Sequence, residues 1–406
     1  MQGDKLKRIL FKGDKIIWAV FFIICAISWI EVFSATSRQI SYNENYWHPI
    51  IKHTVFLVGG VFVVWFMQNL KLRQIKGLTN FFYWLGLIGL IWAQLDPSSR
   101  LNDSARWINV FGLFTIQPME FAKMGIIMVT ARILFMHQGE EGTENSALKE
   151  IAKYCILPII IILKENLSSA VLIVLAVFMM MYIAKMSRKL LLILFGSGVA
   201  AVVIGAITIL NIPEKVADWG SFGSKVITWK HRIQDIGSSM PVAPTEYQIV
   251  DDQRAHANMA IASSHIFGCG PGKSVQRDNI PHAYSDFIYA IIIEELGLAG
   301  GILVILLYLT LLFRCGKIAN RCEDAHSAYI AMGTGIMIVL QAMLHMYISV
   351  GDFVTGQPLP LMSQGGTSVI INCIYIGMVL CISRNATRNT KIATEEKATT
   401  DKIVIS

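Results

Sequence analysis

Charge is scarce in this 406-residue chain. Only 16% of its side chains are Asp, Glu, Lys or Arg, where soluble domains carry about 25%, and the 54% that are apolar come in long runs. That excludes a water-soluble fold and a disordered chain. The seven cysteines form no CxxC pair, and Cys25, Cys155, Cys373 and Cys381 lie within apolar runs, which argues against a disulfide framework, zinc or haem. A nucleotide loop is missing too. Phe267-Gly268-Cys269-Gly270-Pro271-Gly272-Lys273-Ser274 ends like one, but Phe267 stands where its first glycine belongs. The excess of 35 Lys and Arg over 28 Asp and Glu is spread across many short loops rather than one aromatic-flanked patch, which argues against nucleic acid.

Long apolar runs are what the chain has instead. A bilayer crossing needs about 20 mostly apolar residues. On that measure the sequence predicts an all-α polytopic membrane protein with ten spans, near 16–36, 53–70, 80–96, 118–136, 151–164, 167–184, 189–211, 287–313, 327–350 and 363–383. Residues 1–15 are basic and precede a first span rather than a cleaved leader, and the polar tail 384–406 is expected to be disordered. Lys164-Glu165-Asn166 interrupts one apolar stretch and predicts a tight turn. Lys and Arg concentrate on the side that places both termini in the cytoplasm. The 212–285 connection then faces outward, and a loop that long is usually functional.

Four segments hold the candidate chemistry. In the glycine-rich stretch the glycines let backbone pass close to a substrate or to another segment. In Pro281-His282-Ala283-Tyr284-Ser285-Asp286, Ser285 or Asp286 reads either as a helix N-cap or as a functional group at the outer membrane boundary. The following helix carries Glu294, which lies nearer the Asp286 face, and Glu295, expected to be an internal structural partner. Gln117-Pro118-Met119-Glu120 suits a helix start, and Glu120 with Lys123 predicts an i, i+3 ion pair holding a polar pocket open. Pro358 to Ser368 interrupts the apolar pattern at membrane depth and predicts a re-entrant cavity wall. His137 and His326 are expected to be solvated, and His345, near Gln341, to be a hydrogen-bonded core residue.

Together these segments resemble the SEDS family, the shape, elongation, division and sporulation proteins, and most closely its division branch. The outer-loop pattern is carried by Ala262-Ser263-Ser264 to Ser274, Ile280 to Asp286, Phe287-Ile288-Tyr289-Ala290 and Glu294-Glu295-Leu296-Gly297. A second pattern is carried by Ala105-Arg106-Trp107-Ile108, Gly112, Gln117-Pro118, Glu120 and Lys123, and a third by Gly356, Leu359-Pro360 and Ser363 to Ser368. The chain departs from the family at His282 and Tyr284, at Lys164 to Ser169, and at Gln364, which replaces a tyrosine.

The resemblance implies a peptidoglycan glycosyltransferase that polymerises lipid II on the outer leaflet and releases undecaprenyl pyrophosphate. It implies Asp286 as general base, as ligand of a divalent cation (Mg or Mn), or both. Arg106, Lys123, Lys164, Lys230, Arg232, Lys273 and Arg277 are the cations available to the pyrophosphate, and Glu120, Ser363 and Gln364 are further substrate-binding candidates. Implied partners are a class B penicillin-binding transpeptidase, the division machinery and membrane lipid. A lipid II flippase is the main rival, and a non-catalytic division scaffold the other. A flippase would concentrate ionisable groups at the midplane and show two related halves, whereas here they cluster at the outer mouth.

Overall fold

The computed structural model describes residues 11–36, 48–95, 100–101, 104–105, 108–110, 114–140, 142–213, 253–280, 283–350 and 357–405, with isolated positions between 223 and 234. Helices dominate. In chain order they are α1 (Lys15–Ala35), α2 (His48–Asn69), α3 (Leu72–Leu95), α4 (Pro118–Met136), α5 (Ala147–Glu165), α6 (Leu167–Ile183), α7 (Arg188–Asn211), α8 (Gln253–Ser263), α9 (Ala283–Asp286), α10 (Ile288–Ala319), α11 (Ala325–Val350) and α12 (Gly366–Ile405). Seven of them, α1, α2, α3, α7, α10, α11 and α12, are long and apolar enough to cross a membrane, and α6 is a shorter apolar helix. Two small hairpins, β1 (Arg100–Leu101) with β2 (Ser104–Ala105) and β3 (Ile108–Val110) with β4 (Phe114–Ile116), lie between α3 and α4.

Local sequence sets the helix ends. The Asp14 carboxylate accepts from Ile16 N at 2.8 Å and starts α1, while Pro118 occupies the first turn of α4. Asn166 ends α5, and its side chain accepts from Ser169 N at 3.2 Å to start α6, the tight turn expected there. α3 begins at Leu72, well before the apolar run, because Arg73, Gln74 and Lys76 are themselves good helix formers. The same propensity in the Ala, Lys and Glu of the polar tail continues α12 to Ile405, where disorder was expected.

α11 and α12 form the centre. α11 packs on α10, α4 and α6, and α12 lies along α2. α3 and α4 touch backbone to backbone: a Cβ on Gly86 would sit 2.5 Å from Ala122 N, and one on Gly125 2.5 Å from Tyr83 Cα. α7 stands at the rim with only Leu191 buried.

At the end of the bundle near Asp14, charged groups tie helices together. Asp14 accepts two hydrogen bonds from Arg314 of α10, and Lys76 of α3 lies 2.6 Å from Asp324, which caps α11 through Ser327 N at 3.0 Å. His326, expected to be solvated, is buried here because Phe135 of α4 stacks on its ring at 5.5 Å.

Burial pushes the Asp324 carboxyl up, but hydrogen bonds from Lys76 and Ser327 outweigh it, so it titrates below the ordinary carboxylate range. A depressed folded pKa contributes stability above the unfolded value of about 4 and loses it as pH falls through the folded one. Asp324→Asn should therefore lower the thermal midpoint in detergent at pH 7, and the gap from the parent should close below about pH 4. A gap of constant size across that window contradicts the linkage.

Candidate functional site

At the opposite end of the bundle, α10 is broken. Gly297 adopts φ 75° and ψ −179° inside the helix, a left-handed turn that costs any residue with a Cβ about 1–3 kcal/mol. The glycine-rich segment closes the gap. Cys269 N and Gly270 N donate to the carbonyls of Glu294 and Glu295 at 3.0 and 2.9 Å, and Leu298 N and Ala299 N donate to those of His265 and Ile266 at 3.1 Å each. At Gly268 the glycine lets backbone pass close to another segment. A Cβ on Gly297 would lie 2.3 Å from Ile266 O and one on Gly268 2.4 Å from Glu295 O, backbone atoms that cannot step aside. Gly297→Ala is expected to lower the thermal midpoint strongly, and a variant melting with the parent would show that the seal is dispensable.

The two glutamates anchor the same segment. Glu294 accepts from Ser274 Oγ, from Val275 N at 2.9 Å and from Gln276 N at 3.3 Å. Glu295 accepts from Ser34 Oγ of α1 and from Gly272 N at 2.8 Å, with Arg277 Nη1 3.6 Å away. Glu295 is thus the internal partner expected, and Glu294 is bound in the same way rather than turned toward Asp286.

Asp286 ends α9, and Phe287, not Ser285 or Asp286, is the N-cap of α10 and makes no side-chain cap. The capping alternative is therefore not realised. Asp286 is half-buried, and among the described residues its one hydrogen bond is from Ser285 Oγ at 2.9 Å. Its backbone is held by the 357–364 segment: Ser363 Oγ donates to Ser285 O at 2.7 Å and Gln364 N to Tyr284 O at 3.0 Å.

That segment is keyed to three helices through its own carbonyls. His345 of α11 meets Gln357 O at 2.6 Å, Gln341 Nε2 donates to Pro358 O at 3.2 Å, Tyr308 of α10 to Pro360 O, and Ser28 of α1 to Met362 O at 3.0 Å. The Ser28 proton is spent on that carbonyl, so His53 of α2, 3.0 Å away, donates to Ser28 through Nε2–H. These anchors hold Leu361 at φ 64°, a left-handed position that a branched side chain seldom takes.

The Glu120–Lys123 pair forms as expected, at 2.7 Å, but each side chain is 1% exposed, so it seals the interior rather than opening a pocket. Lys123 Nζ also donates to Gln341 Oε1 at 3.0 Å, which connects the pair to the carbonyl of Pro358. Lys123 is therefore spoken for. Of the other cations, Arg277 is engaged by Glu295 and by Ser34 Oγ at 2.6 Å, Lys164 by Gln94 at 2.9 Å and Lys230 by Ile212 O at 2.8 Å. Lys273 is exposed beside the glycine segment. Arg106 and Arg232 lie outside the described residues.

Among the described residues no three His, Cys, Asp or Glu side chains gather to hold a metal ion, so the protein does not supply a shell around Asp286 there. Glu31 of α1, not among the sequence candidates, is fully buried with neither oxygen hydrogen-bonded among the described residues. A lone carboxylate inside an apolar span was the available signal. Ser28 and His53 gave none, because their role depends on a loop more than 300 positions away.

The chain matches the model of the FtsW, RodA and SpoVE family, described as cell cycle protein, over residues 14–388. It belongs to that family. Among its FtsW relatives, the probable peptidoglycan glycosyltransferase FtsW of Coxiella burnetii is 28% identical over 92% of this chain and 98% of its own length. The FtsW of Escherichia coli described in the same words is 30% identical over 73% of this chain and 68% of its own length. A chain from a solved peptidoglycan synthase complex, described as coordinating polymerization and crosslinking, superposes with a TM-score of 0.69 at 22% identity, covering 92% of this chain and 98% of that one. The crystal structure of the rod shape determining protein RodA from Thermus thermophilus gives 0.62 at 20% identity, covering 92% and 97%. The polytopic fold of those chains is thus shared over 92% of this one.

Proposed function

We propose that this chain is a peptidoglycan glycosyltransferase that joins lipid II units into glycan strands at the outer face of the bacterial cytoplasmic membrane. What carries the reading to a residue is Asp286. This half-buried carboxylate at a helix junction, set by a loop keyed to three helices, has only Ser285 as hydrogen-bond partner among the described residues. A sugar hydroxyl is a poor nucleophile, and a carboxylate placed to take its proton as the oxygen attacks the anomeric carbon of the donor is the group the reaction needs. The departing pyrophosphate is met by positive charge, for which Lys273, exposed beside the glycine segment, is the least committed of the described candidates. The described residues gather no three-ligand shell for a divalent ion, and an ion carried in on the pyrophosphate would need only Asp286 from among them.

In the membrane we read α1 to α7 and α10 to α12 as ten spans, with both termini in the cytoplasm and residues 212–285 outside. Division at the septum, beside a class B penicillin-binding transpeptidase, fits the FtsW relatives and the synthase complex whose description pairs polymerization with crosslinking. The test is proteoliposomes given labelled lipid II in one leaflet, with and without transpeptidase and Mg²⁺ or Mn²⁺. Glycan polymer is the expected product. Intact lipid II crossing leaflets without polymer would make the protein a flippase, and neither product would make it a scaffold.

A further inference from the structure

The strip stitched to the break in α10 carries the most exposed large apolar side chain among the described residues. Phe267 is 82% exposed and its neighbour Ile266 66%. Two such side chains together mark a surface that something apolar covers, and their depth says what. Leu298 N and Ala299 N bond to the carbonyls of His265 and Ile266, so this part of the strip lies level with Leu298. From Leu298 down to Lys317, α10 runs for about 20 residues, or roughly 30 Å, the thickness of a hydrocarbon core. With Lys317 at the inner boundary, Leu298 and the strip beside it lie at the outer one, where aromatic side chains collect. Just above the break the partners turn polar: Glu294 and Glu295 accept from Ser274, Val275 and Gly272. Below it, Leu298, Ile302, Leu306, Leu309 and Phe313 are all exposed and fall within about 80° around the helix, an unbroken stripe of the kind that meets lipid.

Resting on the outward placement of residues 212–285, we propose that Ile266 and Phe267 form a wedge seated among the acyl chains of the outer leaflet, continuing the lipid-facing stripe of α10. The wedge sets the depth of the segment that follows it. A turn closed by Lys273 N donating to Gly270 O at 3.2 Å comes next, and Lys273 itself is exposed six residues past Phe267. An apolar anchor at the hydrocarbon edge therefore holds Lys273 at headgroup level, the plane in which the pyrophosphate of a lipid-linked sugar donor lies. Donor and cation are then matched in depth before they meet, which leaves only the search within the plane of the leaflet.

Nitroxide labels read depth directly, because oxygen concentrates in hydrocarbon while a nickel chelate stays in water. The full chain, with the accessible Cys25, Cys269 and Cys322 replaced by Ser, is labelled at Phe267→Cys or, in a second sample, at Leu306→Cys on the span itself. Both samples are placed in vesicles of phosphatidylethanolamine and phosphatidylglycerol. The label at 267 should relax faster with oxygen than with nickel, as the one at 306 does. Relaxation at 267 mainly by nickel puts that position in water, and relaxation by neither puts it under protein; each overturns the wedge. A label at 306 that meets water would instead overturn the reading of α10 as a span. Phe267→Asn should melt with the parent in detergent, yet in vesicles raise the KM for lipid II several-fold and nearly keep kcat. A parental KM in that folded variant overturns the depth-setting role. No polymer from the wild type would remove the glycosyltransferase reading and leave the labels to decide the wedge.

Discussion

Asp286→Asn should reduce glycan polymerisation by roughly 100-fold or more, the range a positioned general base contributes, and leave folding nearly untouched. Shape is kept, because the amide oxygen still accepts from Ser285 Oγ at the half-buried position. No ion pair is lost among the described residues, so the thermal midpoint should move little. Loss of activity together with loss of folding would instead mark Asp286 as structural. Polymer yield from labelled lipid II, set beside a melting curve in the same detergent, separates the two.

Lys123→Met should be among the most destabilising single changes. It strands the Glu120 carboxylate in the interior, where breaking a buried pair typically costs about 3–5 kcal/mol. It also withdraws the donor to Gln341 Oε1, and Gln341 in turn fixes the carbonyl of Pro358 in the loop that holds Asp286. Activity should therefore fall along with stability. The double change Glu120→Leu with Lys123→Met removes both charges and should recover most of the lost stability. Melting the two variants side by side decides the matter: a double variant no firmer than Lys123→Met alone would mean the lysine is held for another reason.

Much of this arrangement could be read from the chain before any coordinates. Apolar runs marked the long helices, Lys164-Glu165-Asn166 marked a turn, and the spacing of Glu120 and Lys123 marked an ion pair, because each is a local property of a few residues. Asp286 and the 357–364 segment were singled out by composition at a span boundary, and family resemblance supplied their roles. Contacts made at a distance could not be read. Nothing around Gly268 says that it will meet Gly297, and nothing around Met362 says that Ser28 will hold it. His326 looked like a loop residue until Phe135 from another helix covered it. Several cations counted as free for substrate are bound by carboxylates, amides or carbonyls that only the fold brings near.

The broken rod at Gly297 also bears on how the protein is made. A translocon handed Ile288–Ala319 by itself would release into hydrocarbon a helix with open peptide groups, each costing several kcal/mol. The strip that satisfies them, 265–270, is translated first and, in the outward placement proposed above, waits across the membrane when that helix arrives. Biogenesis therefore has a fixed order, and a chain whose translocated strip is delayed or deleted should stall at lateral release rather than at the chemistry.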